Sequence, residues 1–213
     1  DLEDFAQERT VAGPGFINII LDDKSRLAIL KEIKSKKENY GKTEIGKGQK
    51  ALVEFVSANP TGPLTVAHGR GAIIGDIACR ILEWNGYNVH REYYFNNAGR
   101  QMRILGKSLK ARYLELLKIE CEFPEDGYQG NYIVELAKIL KNEFQDKLVD
   151  TDSVPTFKDF AEKNIFEQIK KTLKTLHIEF DSYFNEDDLY SNIDDILSQL
   201  QNIELIYEKE GAT

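Results

Sequence analysis

ALVEFVSANPTGPLTVAHGRGAIIGD, residues 51–76, changes its pattern twice within one short stretch. Residues 51–57 are short, apolar and rich in β-branched types, which predicts a buried parallel strand. Residues 58–63 consist almost wholly of turn-forming types. From His68 the pattern becomes helical, and Asn85-Gly86 is typical of a helix end. We therefore predict a strand, a turn and a helix over about 68–84.

The sequence on either side extends this unit. The helical pattern puts one group of apolar residues on the same side of the helix: Ile74, Ile77, Ala78, Ile81 and Leu82. Residues 88–96 then read as a second strand, so 51–96 predict one βαβ unit of an α/β fold. Residues 11–21 indicate a turn and a strand, 24–50 a polar connecting segment, and 121–213 a mainly helical insertion or appended subdomain.

Composition limits the class of protein. The 213 residues carry a net charge of −8, which disfavours a chain coated in nucleic-acid-binding charge. Residues 98–118 nevertheless form a basic segment, which favours a solvated helix face over a phosphate-binding one. Cys79 and Cys121 suggest reduced thiols rather than a disulfide framework or a metal site. No apolar run is long enough for a membrane span, and both chain ends suggest a fragment.

Two common phosphate-binding motifs fit poorly. Gly69, Gly71 and Gly75 have one residue too many between the last two glycines for the dinucleotide fingerprint. Gly106-Lys107-Ser108 matches the end of an NTPase phosphate loop, but Gln101 stands where its first glycine belongs. A glycine-rich turn that leads from a strand into a helix still indicates an anion-binding site at the helix start.

Residues 53–76 resemble the arginyl-tRNA synthetase family, bacterial branch. The family's His-Ile-Gly-His motif falls on Thr65-Val66-Ala67-His68, so this chain departs from it at Thr65 and Ala67. YFNNAGRQM (94–102) and GYQGNYI (127–133) resemble later family blocks, and VAGPGFINIIL (11–21) resembles the end of its N-terminal RNA-contacting domain. The full motif region is Ala58, Asn59, Pro60, Thr61, Gly62, Pro63, Leu64, Thr65, Val66, Ala67 and His68.

The resemblance implies a domain plan and a reaction. Residues 1–23 would end an RNA-contacting domain, 24–50 would be a linker, 51–120 the first half of a Rossmann-like class I catalytic domain, and 121–213 a helical insertion. The implied enzyme activates L-arginine with ATP, accompanied by Mg²⁺, and charges tRNA(Arg). It would use no tightly bound cofactor and no protein metal site, and would work as a cytoplasmic monomer without a membrane.

The resemblance also assigns roles to residues. His68 and Thr65 would be catalytic, and His68 at a helix start can donate an N–H to phosphate oxygens. The residues expected at ATP are Pro63, Thr65, His68, Gly69 and Gly71. Glu54, Ser57, Asn59 and His68 are expected at arginine. A carboxylate inside an apolar strand needs a cation or an outward position, so Glu54 fits either the substrate guanidinium or solvent.

Other residues receive weaker expectations, and two other functions stay open. Asn96, Asn97 and Gln101 are expected to line the same cleft, whereas Trp84, His90 and His177 are expected to be structural. Tyr93-Tyr94-Phe95 fits a strand core better than a base-stacking platform. The alternatives are another class I synthetase, or a non-catalytic RNA-binding paralogue that the altered motif and basic segment would suit.

Overall fold

The computed structural model describes residues 6–97, 99–150 and 154–207. These residues form a mixed α/β structure with one antiparallel hairpin and one parallel sheet. The strands are β1 (Ala6–Ala12), β2 (Phe16–Leu21), β3 (Lys50–Glu54), β4 (Asn88–Phe95) and β5 (Ser182–Asn185). The helices are α1 (Asp23–Lys36), α2 (Val66–Trp84), α3 (Gly99–Leu116), α4 (Asn131–Phe144), α5 (Val154–Thr175) and α6 (Ile193–Asn202).

The parallel sheet has the order β3-β4-β5, and it confirms the predicted βαβ unit. Lys50 pairs with Asn88 and Glu54 with Glu92, while Glu92 pairs with Ser182 and Phe95 with Asn185. Helix α2 crosses from β3 to β4 and begins two residues before the predicted start. Because the strands are parallel, their carboxyl ends meet at one edge, which is where ligands of such sheets bind.

Strand β3 ends at Glu54, three residues earlier than the sequence predicts. The cause is local backbone geometry, since Val56 and Ser57 have φ values of 66° and 40°, in the left-handed region. A β-branched residue rarely adopts that conformation because its side chain crowds the backbone. The chain therefore leaves the sheet abruptly and enters the β3–α2 loop, which we define as residues 55–65.

One face of the sheet is covered by a core that β4, α3, α4 and α5 share. Tyr93 and Phe95 point into it from β4, and the rings of Phe95 and Phe166 lie 4.1 Å apart between centroids. The largest fully buried side chains of the helices are Met102, Leu105, Leu109, Tyr113, Ile133, Leu136, Leu140, Phe157, Ile165 and Ile169. Burial on this scale supplies the main stabilising free energy of the fold.

The apolar side of α2 predicted from sequence is largely the exposed side. Ala72, Gly75 and Cys79 form the buried face, because only small residues fit where α2 meets Phe55 and the sheet. Three predicted members of the apolar side are half exposed, namely Ile74, Ile77 and Ile81 at 57%, 49% and 57%. Ile73 and Trp84 extend this exposed surface.

The N-terminal region contains more regular structure than predicted. The strand expected within residues 11–21 is β2, and it pairs with a further strand, β1, as an antiparallel hairpin. Helix α1 occupies part of the expected connecting segment, capped by Asp22, whose carboxylate accepts from the Ser25 N–H. None of its residues is buried, and its polar, lysine-rich sequence indicated a connecting segment instead of a helix.

The remainder of that segment is attached to the sheet unit. The N–H groups of Thr43, Gly46 and Gly48 donate to carbonyls at the end of α2, over distances of 2.8–3.2 Å. Strand β5 likewise lies inside the region expected to be mainly helical, and it adds a third strand to the sheet. Both Cys79 and Cys121 are free thiols. No helix of the described residues has the length and apolar character to cross a membrane.

Candidate nucleotide and substrate site

The β3–α2 loop is held against β4 by backbone and side-chain hydrogen bonds. The Phe55 N–H donates to the Glu92 carbonyl over 3.2 Å, continuing the sheet ladder by one bond. The Ser57 hydroxyl oxygen then accepts from the Tyr94 N–H over 3.1 Å, so a side chain replaces the next strand carbonyl. Ser57 therefore lies at the predicted sheet edge, and its hydroxyl hydrogen remains available to a ligand.

Tyr93 fixes the next residue of the loop. Its hydroxyl accepts from the Ala58 N–H over 3.1 Å and donates to the Ala58 carbonyl over 2.9 Å, in a fully buried position. Burial raises the pKa of Tyr93 to about 12, and the hydrogen bond to Ala58 opposes the rise. The hydroxyl thus keeps its proton near neutral pH and holds both backbone polar groups of Ala58, its N–H and its carbonyl.

Helix α2 begins with a reciprocal cap between Thr65 and His68. Thr65 is the N-cap, and its hydroxyl oxygen accepts from the His68 N–H over 3.5 Å. In return, the Thr65 N–H donates to Nδ1 of His68 over 3.1 Å. An N–H donor requires an unprotonated Nδ1, so the neutral ring carries its proton on Nε2. His68 therefore presents an N–H donor at the positive end of the α2 dipole.

The glycines of α2 divide into two kinds. A Cβ added at Gly69 or Gly71 would meet nothing within 4 Å among the described residues, so no described neighbour requires glycine there. A Cβ at Gly75 would lie 2.2 Å from Cγ of Phe55, so that glycine is required for packing. Glycine inside a helix is destabilising by about 1 kcal/mol relative to alanine. The open backbone at 69 and 71 therefore suits close approach of a ligand.

Asn59 lies at a cleft of about 250 Å³ beside the sheet edge. Its side-chain N–H donates to Oε1 of Gln101 over 2.8 Å, which connects the loop to the start of α3. The residues lining this cleft are Asn59, Asn96, Gly99, Arg100, Gln101, Glu186 and Tyr190. Three of the residues expected here by sequence are thus brought together, with one cation and one carboxylate beside them.

Glu54 is exposed at the end of β3, which agrees with the prediction of an outward position. It is near the phenol of Tyr94, whose pKa is raised by burial and then by Glu186, Tyr190 and Glu54. Two carboxylates therefore lie near this phenol at the sheet edge. Such a surface favours a cation, because carboxylates can accept several N–H donors from one guanidinium.

Asn97 was wrongly expected to line the cleft. It is only 8% exposed, and its amide donates to Glu162 while its carbonyl oxygen accepts from the Asp187 N–H. Tyr93 and Phe95 are core residues as predicted, and Tyr94 stacks on Phe184 at the opposite face. His90 has the predicted structural role, because its Nε2 lies 2.8 Å from the Ser182 hydroxyl oxygen and so connects β4 to β5.

Sequence reasoning missed four residues around the site. Arg100, Glu186 and Tyr190 line the cleft, and Oε2 of Glu186 is buried without a hydrogen-bond partner among the described residues. Tyr132, from α4, donates to the Thr61 carbonyl. The GYQGNYI block contained Tyr132, but Glu186 and Tyr190 lie in an acidic stretch with no signal that points to the loop.

The basic segment on α3 carries mixed charge in three dimensions. Arg100, Arg103 and Lys107 line a second cleft of about 410 Å³, and Glu125 and Asp126 line it too. Arg100 forms an ion pair with Asp126. The opposing carboxylates reduce the attraction of this face for a phosphate backbone.

A family model for class I tRNA synthetases (R), catalytic domain, matches residues 29–213. The chain belongs to this family. Similar curated proteins of the family include an arginine–tRNA ligase from Desulfotalea psychrophila, 52% identical over 95% of this chain and 37% of that protein. Another is an arginine–tRNA ligase from Chlorobaculum tepidum, 52% identical over 84% of this chain and 32% of that protein.

Solved structures agree with this family assignment. A crystal structure from Campylobacter jejuni, assigned as an arginyl-tRNA synthetase, superposes with a TM-score of 0.76 and 35% identity. It is matched over 87% of this chain and 41% of that chain. A Thermus thermophilus arginyl-tRNA synthetase shares the fold at a TM-score of 0.54 and 20% identity. The chain thus spans about a third of the length of its curated family relatives.

Proposed function

We propose that the full-length protein is an arginine–tRNA ligase, and that this chain supplies the first half of its Rossmann-like catalytic domain. The main support is the cap between Thr65 and His68, which points one N–H donor from the start of α2. The names of the similar proteins support the choice of arginine. Under this proposal the first substrates are L-arginine and ATP with its Mg²⁺, and the second is tRNA(Arg).

In the first step, a carboxylate oxygen of arginine attacks the α-phosphorus of ATP, and pyrophosphate leaves. The products are arginyl-adenylate and pyrophosphate. In the second step, a hydroxyl of the terminal ribose of tRNA attacks the arginyl carbonyl, loses its proton, and AMP leaves. Such reactions need alignment and donors aimed at developing negative charge more than covalent help from the protein.

The residues of α2 would act on ATP. Nε2–H of His68 donates to a phosphate oxygen, and the free N–H groups of the first turn of α2 add to the same positive field. Gly69 and Gly71 leave the helix surface open for the nucleotide, and Pro63 and Thr65 shape the turn before it. Thr65 acts chiefly through its cap, which sets the tautomer of His68.

The residues at the sheet edge would act on arginine. Glu54 accepts N–H donors from the guanidinium, and its exposed position leaves it accessible. Ser57 and Asn59 contact the polar groups around the α-carbon, since both lie where the chain leaves β3. Arginine would then extend along the edge between Glu54 and the start of α2, with its carboxylate next to His68.

The deciding experiment is arginine-dependent ATP–pyrophosphate exchange by the full-length protein with tRNA present. Exchange with arginine but not with lysine, glutamine or cysteine supports the proposal and excludes another class I synthetase. No exchange with any amino acid, together with retained tRNA binding, would instead support the non-catalytic RNA-binding paralogue. A Glu54→Gln variant should raise KM for arginine by about tenfold or more, as for loss of a charged contact.

The proposal also covers the cellular location and the oligomeric state of the full-length protein. We expect the full-length protein to be a cytoplasmic monomer. Light scattering of the full-length protein tests the monomer. Fluorescent tagging in cells tests the location.

A further inference from the structure

Tyr132 connects the helical part of the chain to the β3–α2 loop. It lies in the first turn of α4, and its hydroxyl donates to the Thr61 carbonyl over 2.5 Å. Its ring also lies against Gly62, where an added Cβ would be 3.1 Å from Cζ of the tyrosine. One side chain therefore holds two consecutive loop residues, although 71 positions separate Tyr132 from Thr61.

This contact occupies a decisive place along the loop. Tyr93 holds Ala58 and Gln101 holds Asn59, so the first half of the loop is supported from β4 and α3. Among the hydrogen bonds of the described residues, the one from Tyr132 is the last outside support before α2 begins at Val66. Pro60 and Pro63 lack an N–H, so the loop itself can offer few such bonds.

Tyr132 is itself firmly held. Helix α4 buries Ile133, Leu136 and Leu140 against the core, and the neighbouring Tyr128 N–H donates to the Ser108 hydroxyl over 2.9 Å. Burial, followed by the proximity of Tyr128, raises the pKa of Tyr132 to about 12, so its hydroxyl remains a donor near neutral pH. The loop is thus attached to a rigid element rather than to a mobile surface side chain.

We propose that Tyr132 is a positioning residue for adenylate formation, which acts through the Thr61 carbonyl to place the start of α2 and His68. The inference rests on the proposed function. Loss of its hydroxyl would free the loop between Thr61 and Thr65, and a small displacement of a donor from the reacting phosphate greatly slows such a reaction.

The test uses the full-length protein and a matched pair of variants. Tyr132→Phe removes only the hydroxyl that reaches the loop. Tyr113→Phe is the control, because the Tyr113 hydroxyl donates to the Gln145 carbonyl over 2.6 Å, away from the loop. We measure kcat and KM for ATP in arginine-dependent pyrophosphate exchange, with Tm for each variant. Tyr132→Phe should lower kcat/KM by about tenfold, whereas Tyr113→Phe should change Tm alone.

A double variant separates positioning from simple destabilisation. If Tyr132 acts through His68, Tyr132→Phe should change kcat/KM less than about twofold in a His68→Ala background, since coupled residues are not additive. Equal losses in both backgrounds would overturn the inference, as would equal kcat/KM for Tyr132→Phe and Tyr113→Phe. Full exchange by His68→Ala alone would instead refute the catalytic assignment in the proposed function.

Discussion

The backbone N–H of Thr65 donates to Nδ1 of His68 over 3.1 Å, and this bond decides what the histidine can do. The ring nitrogen that accepts cannot carry a proton, so Nε2 must be the donor of the neutral ring. The Thr65 hydroxyl is turned back toward the same ring, with its oxygen 3.3 Å from Nδ1. Thr65, which falls on the first histidine of the motif that the resemblance implies, therefore orients His68 through the cap.

Replacing His68 should abolish most of the activity of the full-length protein. His68→Ala removes the Nε2–H donor, and we expect kcat for pyrophosphate exchange to fall by about 100-fold or more, as for one transition-state donor. The measurement is made at saturating arginine, ATP and tRNA, with thermal unfolding as a check on folding. A normal kcat would remove the central residue of the proposed mechanism.

Replacing Thr65 should cost much less. Thr65→Ala removes the side-chain half of the cap but leaves the backbone bond to Nδ1, so the tautomer of His68 is retained. The expected loss is on the order of 1 kcal/mol, seen both as a lower Tm and as a small decrease in kcat. If Thr65→Ala and His68→Ala reduce kcat equally, the hydroxyl contacts substrate directly and the capping role is insufficient.

Alanine at the open glycines should separate stability from nucleotide binding. Gly69→Ala and Gly71→Ala should each stabilise α2 by up to about 1 kcal/mol, because neither Cβ meets an atom of the described residues within 4 Å. KM for ATP in the full-length protein should nevertheless rise, since the added methyl groups occupy the surface offered to the nucleotide. A higher Tm with unchanged KM would show that ATP does not approach these positions.

Gly75→Ala is the matched contrast, with the opposite sign. Its Cβ would lie 2.2 Å from the ring of Phe55, so the helix or the ring must shift. Such overpacking costs about 1–3 kcal/mol, and we expect a lower denaturation midpoint for the isolated chain. A midpoint equal to that of the unaltered chain would show that α2 can move away from β3 without loss.

Much of the fold around these residues could be predicted from sequence, because the patterns that indicate β3, the loop and α2 lie within one short stretch. The change of period at ANPTGP located β3, the loop and α2, and the motif region placed Asn59 and His68 at one edge. The orientation of α2 could not be predicted from its apolar residues. The small residues Ala72, Gly75 and Cys79 pack against the sheet, whereas larger apolar residues remain exposed. Tyr132 could not be predicted as a site residue, because its hydrogen-bond partner is a backbone carbonyl 71 positions away in the sequence.

The isolated chain should not catalyse arginyl-adenylate formation. It spans about a third of its curated relatives, and class I catalysis by resemblance needs residues from both halves of the nucleotide fold. Purified chain with ATP, arginine and tRNA should show no pyrophosphate exchange above the level without protein, while the full-length protein serves as positive control. Turnover by the isolated chain would mean that residues 1–213 hold a complete catalytic site.

The two thiols should react very differently. Cys121 is exposed, whereas Cys79 is fully buried against the sheet and burial raises its thiol pKa. Because the thiolate is the reactive form, folded chain should label at Cys121 within minutes and at Cys79 only after unfolding. Alkylation at several pH values followed by peptide mass analysis measures both rates. Rapid labelling of Cys79 in native buffer would indicate that α2 separates readily from β3.

The left-handed backbone at Val56 has a consequence for engineering this protein. A valine with a φ of 66° holds a conformation that asparagine or glycine adopts with less strain, and the difference is on the order of 1–3 kcal/mol. A screen for heat resistance should therefore enrich asparagine at position 56, whereas a screen for turnover should retain valine if that sharp exit from the sheet sets the loop. If the two selections favour different residues at position 56, then valine at this position lowers thermal stability while it supports turnover.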